Sequence, residues 1–134
     1  MTNEFDHDRP TTMRIGVLGC GNVGAALVDI VRTRADSIEA RTGIRLEIAK
    51  VAVRNISAPR AGAGRAEHLP RAAMAVVTDP EIDLVVESIG GIEPARELIL
   101  AALANGKPVV TANKELLANV GAELYAAADD AGLD

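Results

Sequence analysis

Residues 15–24 read Ile-Gly-Val-Leu-Gly-Cys-Gly-Asn-Val-Gly. A short apolar run, Ile15 to Leu18, leads into a glycine triplet, Gly19, Gly21 and Gly24, and an amphipathic helical pattern follows at once. Strand, tight turn and helix start in that order point to a βαβ unit built around a dinucleotide. Gly19 permits a sharp turn off the strand, Gly21 lets backbone approach a pyrophosphate, and Gly24 lets the helix lie close on the sheet. The helix start then offers unpaired N–H groups and the positive end of its dipole to phosphate. Cys20, Asn22 and Val23 fill the intervening positions, so their backbone N–H groups and the Asn22 side chain are expected to face the cofactor. Cys20 at such a position faces phosphate, which argues against a catalytic thiol. A glycine turn of this kind also occurs as a purely structural device; the strand before it and the helix after it favour the nucleotide site.

The rest of the chain continues the alternation. Strand one is expected at about 13–18. The first helix runs over about 22–41, with Val23, Leu27, Ile30, Val31 and Ile38 on one face and Gly43 as its stop. Strand two covers about 45–54; its first half alternates and its end is small and apolar. The Pro/Gly/Ala/Arg stretch 58–66 reads as a loop, and 70–77 as a short helix. Asp83 to Ser88 forms the next strand and ends in Ile89-Gly90-Gly91. A helix follows from Pro94 to about Asn105, burying Leu98, Ile99, Ala102 and Leu103 and ending at Gly106. Pro108 to Thr111 is a strand, and the last helix spans about 114–131 with Leu116, Leu117, Val120 and Leu124 inward. This order defines an α/β class: a Rossmann-like, doubly wound, mainly parallel sheet with helices on both faces and right-handed crossovers. Residues 1–12 read as a flexible tail and 13–134 as an NAD(P)-binding domain. A further strand is expected after the last helix, so the domain reads as incomplete and any substrate domain as absent.

Composition narrows the function classes. The 134 residues are one domain's worth. At 49% hydrophobic they can build a core despite one Phe, one Tyr and no Trp. A net charge of −5 with no basic stripe argues against nucleic-acid binding. The single cysteine excludes an internal disulfide and fits a cytoplasmic setting. No apolar run approaches the roughly 18 residues a membrane helix needs. No metal site is expected, and His7 receives no role.

The residues suited to chemistry fall at the carboxyl ends of the expected strands, where open α/β sheets bind ligands. At the end of strand two, where an acidic residue usually holds the ribose 2′-OH of NAD, this chain has Val53-Arg54-Asn55. Arg54 suits a 2′-phosphate, so NADP is the expected cofactor, with NAD as the alternative. Ser88 and Gly90, in Ser88-Ile89-Gly90-Gly91, let backbone pack against a flat ring or ribose. Glu87 either faces the pocket or is a buried carboxylate bonded to backbone. In Thr111-Ala112-Asn113-Lys114, Asn113 is a suitable N-cap. Lys114 then lies in a helical first turn, where a cation is electrostatically disfavoured unless something negative, such as a cofactor phosphate or a substrate carboxylate, holds it.

Ile15 to Gly24, Val85-Val-Glu-Ser-Ile-Gly-Gly91 and Gly106-Lys-Pro-Val-Val-Thr-Ala-Asn-Lys114 together resemble the amino-terminal part of homoserine dehydrogenase, from about residue 13 to residue 134. The last string is the most specific. The resemblance implies an NAD(P)-dependent oxidoreductase interconverting L-homoserine and L-aspartate 4-semialdehyde, on the route to threonine and methionine, in a protein that is a homo-oligomer. It implies cofactor contacts at Cys20, Asn22 and Val23, and a catalytic lysine at Lys114 on the junction of cofactor and substrate. The family's main catalytic lysine and acidic substrate ligands fall beyond residue 134, so this chain alone is expected to be inactive. Other dehydrogenases sharing such a first domain, such as dihydrodipicolinate reductase, aspartate dehydrogenase or a glyceraldehyde-phosphate dehydrogenase relative, are alternatives, and the Thr-Ala-Asn-Lys string argues against them. A nucleotide-sensing module without chemistry, and a truncated fold with no competent site, are the readings from other classes.

Overall fold

The computed structural model describes residues 11–19, 21–53 and 64–134. In chain order the elements are β1 (Thr11–Leu18), α1 (Asn22–Thr42), β2 (Ile44–Ala52), α2 (Gly64–Thr78), β3 (Leu84–Glu87), α3 (Ala95–Ala104), β4 (Val109–Thr111) and α4 (Lys114–Ala131). Among the described residues the strands form one parallel sheet in the order β2-β1-β3-β4. Helices cover both faces, as the expected doubly wound class requires.

On one face α1 packs Leu27, Val28 and Val31 against Ile15, Val17 and Val86. On the other, α2 and α3 bring Ala73, Val76, Val77, Leu98 and Ala102 onto Leu18, Ala52 and Val85. α4 lies against α3, with Leu116, Leu124 and Ala128 meeting Ala95, Ile99 and Leu103. Each fully buried Leu or Val here contributes roughly 1.5–3 kcal/mol of transfer free energy. α3 thus has two apolar flanks and joins the sheet to α4.

Several boundaries and faces differ from the sequence expectation. β1 begins at Thr11, because Thr11 donates its N–H to Gly43 O (3.1 Å) and pairs in register with Ile44. Thr11 and Thr12 therefore belong to the sheet; residues 1–10 lie outside the described residues. α2 is longer than the expected 70–77: residues 64–66, read as loop, are helical, and the run Ala66-Glu67-His68-Leu69 holds good helix formers. On α1 the contact stripe is Gly24, Leu27, Val28, Val31 and Ala35; the expected Leu27 and Val31 lie in it, whereas Val23 and Ile30 are 57% and 47% exposed. Gly24 and Ala35 extend the stripe where the helix comes close.

β2 ends at Ala52 and carries a bulge: Ile15 pairs with Ile48 but Gly16 pairs with Lys50, leaving Ala49 extra. Leu46, Ile48 and Val51 consequently face α1, while Ala49 and Ala52 face α2. Lys50 points the same way as Ala49 and pairs with Asp79 after α2 at 2.7 Å. At the amino ends of β3 and β4, buried Lys107 donates from Nζ to Ile82 O (2.8 Å). The helix ends follow the glycines: Gly43 and Gly132 sit at φ 72° and 68° as left-handed caps.

Candidate functional site

From β1 the chain leaves over α1 on one face to reach β2; it returns over α2 on the other face to enter β3. The chain thus leaves β1 and β3 toward opposite faces, and the carboxyl ends of these neighbouring strands are the switch point at which a doubly wound sheet places its ligand crevice.

The first wall of the crevice is the glycine turn. Gly19 lies at φ 84° and donates its N–H to Ala52 O at 2.7 Å. Ser88 N donates to Leu18 O (2.8 Å), and Ser88 Oγ contacts Gly19 O (2.9 Å) and Leu18 O (3.2 Å). β1, β2 and β3 thus all hold this turn. A Cβ on Gly24 would stand 2.5 Å from Gly19 O and 2.8 Å from Ser88 Oγ, so the start of α1 is seated directly on the turn. At Gly21 the opposite holds: a Cβ would meet nothing within 4 Å. That bare backbone borders open space.

The α1 N-terminus is electrostatically unspent. Its N-cap, Gly21, supplies no side-chain bond, and its first turn contains no acidic residue, whereas α3 and α4 carry Glu97 and Glu115 there. Ala25 N donates to Gly21 O at 2.8 Å, so the N–H groups of Asn22, Val23 and Gly24 precede the first helical bond. An uncapped helix end beside a side-chain-free backbone fits a pyrophosphate. Asn22 and Val23 are exposed there. Cys20 and Arg54, both expected at the cofactor, lie outside the described residues.

The second wall is the turn after β3, where Gly90 and Gly91 take φ values of 85° and 72°. Glu87 beneath it is fully buried. Its Oε2 accepts Ile89 N (2.7 Å) and Gly90 N (3.4 Å), and its Oε1 accepts the Thr111 hydroxyl (2.9 Å). Of the alternatives open for Glu87, the buried, backbone-bonded carboxylate is the one observed. The Ser88 hydroxyl, for its part, is committed to the carbonyls of the glycine turn.

The third element is the start of α4. Asn113 caps it by accepting Leu116 N at 3.0 Å, as expected, and its Nδ2 donates to Gly91 O at 2.5 Å. Lys114, the next residue, is exposed and forms no ion pair with another described residue. The tie from Asn113 to Gly91 brings Lys114 beside the β3 turn. The bond from Thr111 to Glu87 and this second bond of Asn113 are absent from the sequence reading. The signal that could have found them is Glu87 itself, a charge in the apolar strand Leu84-Val85-Val86, which burial obliges to find donors. A separate cleft of about 420 Å³ lies between α1 and β2, lined in part by Arg14, Arg32 and Arg45. Bonds to Asp36 and Glu39 raise the Arg45 pKa there.

A doubly wound sheet with an open glycine cradle at its switch point defines a nucleotide-binding α/β domain of the dehydrogenase type. Residues 19–134 match the family described as homoserine dehydrogenase, NAD binding domain. The chain belongs to that family, whose cofactor is NAD(P). Homoserine dehydrogenase of Synechocystis is 42% identical over 125 residues, and that of Corynebacterium glutamicum 45% over 120. These alignments take in 91% and 90% of this chain but 28% and 27% of the two enzymes. The chain thus spans little more than a quarter of the curated relatives it matches. The structure of a Thiobacillus denitrificans homoserine dehydrogenase superposes with a TM-score of 0.76 at 43% identity, over 92% of this chain and 28% of that one. The Staphylococcus aureus enzyme gives 0.77 at 32% identity, over 92% and 31%. Among the described residues no helix is long and apolar enough to cross a membrane.

Proposed function

We propose that this chain is the cofactor-binding part of a cytoplasmic, homo-oligomeric enzyme that interconverts L-homoserine and L-aspartate 4-semialdehyde, with NADP preferred over NAD. The observation that carries the reading is the family match over residues 19–134, in a chain whose Lys114 stands beside the turn that follows β3. In this reading the amides of Asn22, Val23 and Gly24 bind pyrophosphate, with Gly19, Cys20 and Gly21 supplying the backbone cradle. Ser88 and Gly90 form the wall against which the nucleotide packs, and Arg54 pairs with a 2′-phosphate. When bound, the nicotinamide supplies the hydride acceptor or donor. Lys114 contributes a positive charge at the junction and a donor for the substrate's oxygen. This chain matches little more than a quarter of the related enzymes, so by itself it is expected to bind cofactor without turning over homoserine.

Calorimetric titration of this chain with NADPH and with NADH tests the reading. NADPH should bind more tightly, and Arg54→Asp should weaken NADPH while sparing NADH. Equal losses for the two cofactors would remove Arg54 as the phosphate reader. Steady-state homoserine oxidation by the 134-residue chain would contradict the assignment of turnover to a larger protein.

A further inference from the structure

Glu87 and Thr111 are register partners on neighbouring parallel strands, each at the last position of its strand. From that point two loops diverge: Ser88–Gly91 after β3, and Ala112–Asn113 before α4. The fully buried Glu87 carboxylate takes Ile89 N and Gly90 N from the first loop and the Thr111 hydroxyl from the second strand. Thr111 Oγ1 in turn accepts Asn113 N at 3.0 Å. Asn113 then returns to the first loop through Nδ2 to Gly91 O (2.5 Å) and runs forward to α4 through Leu116 N (3.0 Å). The bonds close a ring: Glu87, Thr111, Asn113, Gly91 and back along the turn to Glu87. Ala112 N to Glu87 O (3.1 Å) braces it from the backbone. A buried carboxylate with all its partners donating is costly to disturb, and a closed ring holds both loops in one arrangement.

We propose that Glu87 is a positioning residue that acts through Thr111: together they fix the Ser88–Gly91 turn and the first turn of α4 as one unit, and so set where Lys114 stands relative to the nucleotide. The proposal rests on the reading that Lys114 and this turn face the cofactor. It adds a coupling between them, carried by a carboxylate that touches neither cofactor nor substrate.

The test uses Thr111→Val, which keeps the shape of the side chain and removes the hydroxyl, with Thr111→Ser as the conservative rescue and Lys114→Ala as the partner mutation. Amide hydrogen exchange on the chain without cofactor reads the coupling directly. Thr111→Val should speed exchange about tenfold at Ile89 and Gly90, across the ring, as well as at Asn113, since a charge-assisted hydrogen bond contributes roughly 1.5 kcal/mol. Thr111→Ser should restore the original protection. NADPH titration of the single and double variants reads the consequence: Thr111→Val should weaken binding in the parent and much less in the Lys114→Ala background. Exchange that rises at Asn113 alone, or losses in affinity that simply add, would overturn the proposal. If Lys114→Ala leaves NADPH affinity intact while Thr111→Val still opens both loops, the coupling stands and the assignment of Lys114 to the cofactor falls.

Discussion

A methyl group on Gly24 would lie 2.5 Å from Gly19 O and 2.8 Å from Ser88 Oγ, and the first of these is backbone that cannot swing aside. Gly24→Ala should therefore push the start of α1 off the turn and draw its amides out of line. Overpacking of this kind costs roughly 1–3 kcal/mol, so NADPH affinity should fall by about tenfold and the melting temperature with it. Titration and a thermal melt check both; parental affinity would mean that the helix start can shift without disturbing the site. This residue was legible in the sequence because glycine spacing reports local backbone demands. Asn113 was legible as a cap for the same reason. The partnership of Glu87 with Thr111 was not, because it depends on the β3–β4 register, which joins residues 24 positions apart. A charge within an apolar strand announced the need for donors without naming them.

At the scale of elements, the sequence shows the buried faces of α3 and α4 more plainly than that of α1. The buried face expected for α3, Leu98, Ile99, Ala102 and Leu103, is the one observed. Its large aliphatics divide between two partners, so hydrophobicity and contact coincide. On α1 they part company: Gly24 and Ala35 are buried with Val31, and Leu27 and Val28 pack beside them, while Val23 and Ile30 stay outside. Size is a poor guide where close approach decides. α3 also carries the clearest stability prediction. Leu98, 1% exposed, faces the sheet and α2, while Ile99 on the other flank faces α4. Leu98→Ala should cost about 3 kcal/mol, read as a lower midpoint in urea with an unchanged slope. A loss under about 1 kcal/mol would mean that the layer collapses to fill the cavity.

Across the whole molecule, long-range ion pairs give the fold an acid limb. Lys50 on β2 holds Asp79 below the usual carboxylate range, helped by the N–H of Glu81. Arg96 on α3 does the same to Glu123 on α4 through a two-pronged pair. Both folded-state values are depressed, so this stabilisation is complete above the unfolded value, about 4, and is lost as pH falls through the folded values. The melting temperature should drop on acidification below about pH 4. Glu123→Gln should lower it slightly at pH 7 and flatten the acid limb; an unchanged limb would place the acid sensitivity elsewhere. The pairs are exposed, so the effect is modest. The strand–helix alternation made the layered topology legible from the sequence. The distant pairings were not, since they arise only once the crossovers have placed the elements.

The bulge in β2 bears on how this chain can change length. Ala49 works as a phase shifter: it lets one strand serve the α1 core with Leu46 and Ile48 before it, and with Val51 after it. Straightening the strand with Ala49 kept would be a frame error in the pleat: Lys50 would turn into the apolar layer under α1, and Val51 would turn out of it. Deleting Ala49 itself would do neither, because Ile48 and Lys50 already pair with the neighbours Ile15 and Gly16 and would then follow one another in an unbroken pleat. The strand can thus lose this one residue and keep both its faces.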